Sequence, residues 1–255
     1  MRPRSPFLIL AAGLCLAAAA PAVAAAACRA DTGAARNVLL ELYTSEGCDS
    51  CPPADRRLSG YKDTGAYAGR LVPLAFHVDY WDRLGWADRF ASQQFTQRQY
   101  AMATLARSRS VYTPQFLRNG RDWRGGGSPL DASTESRPGA RIAIELHVAP
   151  GARMTVSGEV AATAPGAEAW LAVYENNLDS AVSAGENSGK RLRHDYVVRR
   201  LVGPLALDSR GQLALRQDIP LGPGWKPADL GVAVFVQDKA SGEIVQALQR
   251  HACPA

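Results

Sequence analysis

Two cysteines three positions apart carry the most specific chemistry in the chain, in Gly47-Cys48-Asp49-Ser50-Cys51-Pro52-Pro53. A C-x-x-C at the junction of a strand and a helix is a redox arrangement. The spacing lets the two sulfurs reach disulfide distance across one helical turn, and the free N–H groups and dipole at the helix start favour a thiolate on the first cysteine. That thiolate attacks a substrate disulfide, and the second cysteine resolves the mixed disulfide. Cys48 is therefore the expected nucleophile and Cys51 its resolving partner. A structural zinc site would need a second ligand pair, but Cys28 and Cys253 are isolated at opposite ends of the chain. A bland structural disulfide is the competing reading.

Neighbouring residues tune this expectation. Proline is tolerated only in the first turn of a helix, so Pro52-Pro53 predicts a regular helix from about Ser50 or Cys51. Asp49-Ser50 contains no cation, and Asp49 sets a negative charge beside the Cys48 thiolate. Cys48 should be less acidic, and the pair more reducing, than in strongly oxidising enzymes of this chemistry.

His77-Val78-Asp79-Tyr80-Trp81 is the second constellation. If the strands ending at Tyr43 and Val78 are parallel, their carboxyl ends share one sheet edge, and His77 and Asp79 come beside Cys48. Three readings stay open for them. They tune or protonate the thiols, His77 completes a metal site with Cys48 and Cys51, or they are a hydrogen-bonded strand end.

The elements that must position these groups fall into two textures. Residues 37–135 alternate strand and helix patterns. Val38 to Tyr43 is a near-continuous apolar run suited to a buried strand. A helix pattern follows through Ala54, Leu58 and Tyr61. Leu71 to Val78 reads as a strand, and Trp86 to Ser108 as a longer helical region with Ser92 as N-cap. Gln115 to Arg118, the Asn119-Gly120 turn and Arg121 to Arg124 read as a hairpin opened by Thr113-Pro114. Beyond a Gly/Pro/Ser-rich stretch at 125–139, short strand patterns follow at 142–148, 154–161, 169–174, 196–202, 213–219, 231–236 and 244–248. The expected architecture is an α/β unit over 28–138, then an antiparallel sandwich-like β unit over 139–255.

Residues 1–24 read as an export signal: Arg2 and Arg4, an apolar run from Phe7 to Ala20, Pro21, and an Ala22-Val23-Ala24 cleavage site. No later segment approaches the length of a membrane span. The periplasm is the expected location. Of five cysteines, Cys15 departs with the signal, and an even number remains for an oxidising compartment. Cys28 and Cys253, near the two mature termini, are expected to pair with each other. The formal net charge of +5 loses two arginines with the signal, which argues against a nucleic-acid partner.

The order strand, C-x-x-C, helix, strand, helix, then Thr-Pro before a hairpin resembles the thioredoxin fold. The resemblance implies that Pro114 is cis, faces the disulfide and helps hold substrate backbone. More narrowly, the chain resembles a family of bacterial secreted thioredoxin-like proteins known as domain-of-unknown-function family 1223. Residues 41–48 and 51–55, Phe76 to Asp82 with Leu84-Gly85-Trp86, Arg98-Gln99, Val111 to Gln115, Gly185 to Gly189 and Leu192-Arg193-His194 carry this likeness, which supplies no activity. Copper-delivery proteins with a thioredoxin fold use two cysteines and a distant histidine, with the cysteines one residue further apart.

Two groups have blander readings. Tyr80, Trp81, Trp86 and Phe90 line a substrate groove or simply pack on the sheet. Lys190, Arg191, Arg193, His194, Arg199 and Arg200 bind an acidic partner or anion, or form a solvated face. The leading expectation is an exported thiol–disulfide oxidoreductase with no cofactor, acting on protein or small thiol and disulfide substrates. Its site comprises Cys48, Cys51, Pro114, His77 and Asp79. The alternatives are a copper-binding chaperone using Cys48, Cys51 and His77, and an interaction module with a structural disulfide.

Overall fold

The computed structural model describes residues 28–62, 65, 67–130, 138–149 and 153–253, and the export signal read at 1–24 lies outside them. Buried apolar runs form the centre of the fold. Val38–Thr44 (β2) and Leu71–His77 (β3) are buried at every position, as a strand covered on both faces requires. They pair in parallel, with Thr44 opposite His77. Gln115–Arg118 (β4) runs antiparallel to β2 and continues through the Asn119-Gly120 turn into Arg121–Asp122 (β5). Cys28–Asp31 (β1) pairs elsewhere, with Ala140–Ala149 (β6).

Helix Pro52–Ser59 (α1) begins where the two prolines allow, with Cys51 at its N-cap. Helix Gln93–Leu105 (α2) is capped by Ser92, whose side chain accepts from the Gln94 N–H. Residues 86–92 are not helical. The Asp88 carboxylate accepts from the Phe90 N–H and, across the loop, from the Glu46 N–H, which holds this segment as a connection.

The later strands are Arg153–Ala162 (β7), Ala167–Glu175 (β8), Leu178–Ala181 (β9), Arg191–His194 (β10), Val197–Ala206 (β11), Gln212–Pro220 (β12), Leu230–Asp238 (β13) and Ile244–His251 (β14). They overturn the expected fold class. Instead of an α/β thioredoxin-like unit followed by a β sandwich, one eight-stranded mixed sheet runs β14-β13-β8-β11-β3-β2-β4-β5. The physical reason is the open edge of β3. Its backbone groups are met by β11, with Val197 opposite Ala75 in parallel, so strands from both ends of the sequence share one ladder. Only two α-helices occur among the described residues.

The sheet curls until β14 returns to the β2 side. Asn37 bonds Gln246 and Ala247, and the Ile244 N–H donates to the Asn119 carbonyl. A four-stranded sheet, β1-β6-β7-β12, packs through Ile142, Ile144, Leu146 and Val156 against Val232, Val234 and Leu171. The second core lies around Tyr43, Phe76, Phe95, Tyr174 and Phe235. A two-stranded ribbon, β9 with β10, stands apart from both sheets. No helix among the described residues is long and apolar enough to cross a membrane.

Candidate functional site

The turn leaving β2 carries the cysteines. The Ser45 hydroxyl accepts from the Gly47 N–H, the Cys48 N–H donates to the Ser45 carbonyl, and the Cys51 N–H donates to the Cys48 carbonyl. Cys48 and Cys51 are disulfide-bonded, with Cα atoms 5.4 Å apart, and neither exposes any surface. Asp49 and Ser50 between them are exposed. The Ser50 hydroxyl lies 3.4 Å from Cys48 Sγ.

The connection from β9 to β10 clamps this turn. Asn187, fully buried, donates to the carbonyls of Glu46 (2.8 Å) and Cys48 (2.9 Å). Lys190 Nζ donates to the Asn187 carboxamide oxygen, and the Asp49 N–H donates to Glu186. Substituting Asn187 with alanine removes both buried bonds to the turn. Losing a buried hydrogen bond costs about 1–3 kcal/mol, so the clamped form should lose about 10–100-fold of its advantage over open ones. The Cys48–Cys51 bond should then react with dithiothreitol correspondingly faster, measured by timed alkylation and mass spectrometry. An unchanged rate would show that the clamp does not govern access.

Beneath the turn lies a buried ionisable cluster. Asp88 Oδ2 is 2.6 Å from His77 Nδ1, and both side chains are fully buried. His194 from β10 lies 5.0 Å from His77 between ring centroids, 3.3 Å from Glu46 Oε1 through Nε2 and 3.9 Å from Asp55 Oδ2 through Nδ1. Asp55 sits one turn beyond Cys51 on the buried side of α1, which brings their side chains to neighbouring positions. Thr44 Oγ1, Glu46 Oε1, Asp55 Oδ1, His77 Nε2 and both His194 nitrogens are buried without a hydrogen bond. Bonding through Nδ1 to Asp88 leaves His77 Nε2 free inside the cluster.

Electrostatics follow from this packing. Burial alone would lower the His77 pKa, but the Asp88 charge, helped by Asp55 and Glu46, raises it overall. Burial alone would raise Asp88, yet His77 and the N–H groups of Glu46 and Phe90 hold it at about 2. Burial raises Asp55. Burial pushes Glu46 up too, but the nearness of His194 and Ser180 and the bond from Trp86 leave it below its usual value. The raised His77 contributes stability that is complete below its unfolded value near ~6.5 and is lost as pH rises through its folded value. The depressed Asp88 contributes stability above its unfolded value near ~3.9 that is lost as pH falls through about 2. Thermal unfolding followed against pH should show both losses, and Asp88→Asn should remove them together. A variant that keeps the wild-type profile would contradict this pairing.

The expected site residues divide. Thr113-Pro114 is a cis peptide bond at the start of β4, where Gln115 pairs with Tyr43. Trp81 bridges the two turns: its Nε1 donates to Thr113 Oγ1 (2.8 Å), and its Cβ lies 3.2 Å from where a side chain on Gly47 would begin. His77 lies in the cluster under the disulfide. Asp79 does not join it. Asp79 accepts from Thr96 Oγ1, and its own N–H donates to the same hydroxyl, which ties it to α2. Among the described residues no group of three or more His, Cys, Asp or Glu is arranged to hold a metal ion.

Asp55, Glu46, Asp88, Asn187 and His194 were not singled out by the C-x-x-C reading. Asp55 had a signal in its i+4 spacing from Cys51. His194 had one in the alternation of β10, where Leu192 and His194 are buried while Arg191 and Arg193 are exposed. Of the aromatic group, Trp86 Nε1 donates to Glu46 Oε2, and Phe90 packs edge-on against His77 and His194.

The family model described as "Protein of unknown function (DUF1223)" matches residues 39–237. A crystal structure of a protein from Agrobacterium tumefaciens aligns with a TM-score of 0.59 at 26% identity, covering 87% of this chain and 96% of that one. HBP35 of Porphyromonas gingivalis aligns with a TM-score of 0.61 at 17% identity, covering 86% and 76%, a likeness of fold alone. No curated protein matches the chain.

Proposed function

The chain belongs to this family of unknown function, and we propose that it is an exported thiol–disulfide oxidoreductase of an oxidising compartment, the periplasm. The observation that supports this reading is a C-x-x-C disulfide at the N-cap of a helix, seated over buried His77, His194 and Asp55. Two disulfides, the second between Cys28 and Cys253, fit such a compartment. No cofactor is needed.

In the dithiol form, the Cys48 thiolate attacks a substrate disulfide. A mixed disulfide forms and one substrate thiolate leaves. Cys51 then loses its proton and attacks Cys48 Sγ. The second substrate thiol leaves, the substrate has gained two electrons, and the chain carries the Cys48–Cys51 bond seen here. An external dithiol restores the reduced pair. Asp55, whose proton affinity burial raises, is placed to take the Cys51 proton, and the Asp88–His77 pair holds charge beneath it. Pro114, whose cis bond precedes Gln115 opposite Tyr43, would contact substrate backbone. Asp79 acts at most through α2.

The complete burial of both sulfurs favours a second reading, a structural disulfide in an interaction module. Trapping separates the two. Cys51→Ser should accumulate mixed disulfides through Cys48 when exported proteins are alkylated and resolved without reductant, and Cys48→Ser should not. Equal trapping by both variants, or none, would favour the structural reading.

A further inference from the structure

Two arginines of the basic run, Arg199 and Arg200, meet Arg89 around one cavity that the redox reading does not use. This cavity, of about 240 Å³, opens where the connection into α2 meets β11 and the turn before β13. Phe90 and Trp225 supply apolar walls, Arg89, Arg199 and Arg200 line it, and Ser92 at the α2 N-cap adds a polar rim. No lining residue is acidic.

Two guanidinium groups lie over one ring: Arg89 is 4.5 Å and Arg199 5.2 Å from the Phe90 centroid, and Arg199 is also 5.2 Å from Trp225. Only Arg199 has a carboxylate partner, Glu175 at 2.7 Å. Arg89 bonds the Ser180 hydroxyl and the Asp179 carbonyl, both uncharged. Arg200 is exposed, and its side chain makes no ion pair or hydrogen bond among the described residues. Burial lowers the Arg199 pKa, and the Arg89 charge lowers it further against the pull of Glu175. Like charges crowded on an aromatic floor, with one carboxylate between three of them, leave an electrostatic deficit that a bound anion would remove.

We infer that this cavity binds a small organic oxyanion with a planar apolar body, its charged end on Arg89 and Arg200 and its body against the half-buried Trp225. The volume suits a fragment-sized molecule, below the usual range for larger ligands. Phe90 separates the cavity from the His77–His194 pair, but binding does not depend on any redox role of the cysteines.

Calorimetric titration of the full chain with benzoate, its neutral isostere benzamide, and sulfate tests the site. Benzoate should bind saturably, more weakly as salt is added, and benzamide and sulfate should each bind at least about tenfold more weakly. Arg200→Gln, at an exposed position, and Arg89→Gln should each weaken benzoate about tenfold, with unchanged circular dichroism. Equal binding of benzamide, equal binding of sulfate, absent benzoate binding, or an unaltered affinity in both variants would overturn the proposal.

Discussion

Replacing Glu41 with alanine is expected to lower the unfolding free energy by about 3–5 kcal/mol, because it strands a buried guanidinium. Arg98 on α2 is almost fully buried and donates through Nε to Glu41 Oε1 at 2.7 Å. Its terminal nitrogens both reach Gln237 Oε1 at 3.2 Å. Phe76, Trp170 and Phe235 surround it, with centroids 5.8, 5.2 and 4.9 Å from the guanidinium carbon. Burial would lower the Arg98 pKa, and Glu41 reverses this. Gln237 is neutral, and Glu168 supports the charge less than Glu41 does. The pair also fastens α2 to β2, the strand that ends at the cysteine turn, so the same variant should loosen the site. Urea unfolding measures the loss, as a lower midpoint at an unchanged slope. Replacing both partners with apolar residues, Glu41→Leu with Arg98→Met, should recover much of it. A single variant that loses less than about 1 kcal/mol would contradict the account of this pair.

The second large effect is at the termini. Cys28 in β1 and Cys253 after β14 are bonded across 225 positions. Arg250 lies along the bond, with Nε 3.4 Å from Cys28 Sγ and Nη2 3.3 Å from Cys253 Sγ. Cys28 also pairs with Leu146 at the edge of the four-stranded sheet. The bond therefore ties that sheet to the end of the curled one. Replacing both cysteines with serine should cost about 2–5 kcal/mol, chiefly by freeing a very long loop in the unfolded chain. Thermal and urea unfolding should both report it, and the reactivity of Cys48–Cys51 should stay as in the wild type. A stable double variant with altered Cys48 reactivity would reverse the division of labour between the two bonds.

How much of this was legible in the sequence depends on range. β2, β3, the start of α1 and the Ser92 cap each rest on signals within a few residues: an apolar run, a Pro-Pro pair, a hydroxyl before a helix. They were readable. So were most later strands, whose ends moved by no more than four residues. Strand order was not, because β11 enters between β8 and β3 by satisfying an edge that no periodicity marks. The short strands Cys28–Asp31, Leu178–Ala181 and Arg191–His194 are too brief for a pattern to stand out. The site divides in the same way. Cys48, Cys51 and Pro114 come from contiguous motifs. The buried cluster draws Thr44, Glu46, Asp55, His77, Asp88 and His194 from six separate elements and connections, and only the fold makes them neighbours. Asp79 shows the limit of a local rule. Its two-residue spacing from His77 implies a shared face, but β3 ends at His77, and Thr96 then ties Asp79 to α2.

A working redox pair at Cys48–Cys51, as proposed, and a structural bond at Cys28–Cys253 should differ in how easily they open. The most direct test equilibrates the full chain in graded dithiothreitol and glutathione buffers, alkylates it, and reads each pair by mass spectrometry. Asp49 and the nearby Glu186 place carboxylates beside the cysteine turn, and the Lys190 ammonium is held away from it on Asn187. Cys48–Cys51 should therefore open at about −180 to −270 mV, far from the strongly oxidising limit near about −120 mV, while Cys28–Cys253 stays closed to below about −300 mV. A Cys48–Cys51 bond that also stays closed below about −300 mV would contradict the account.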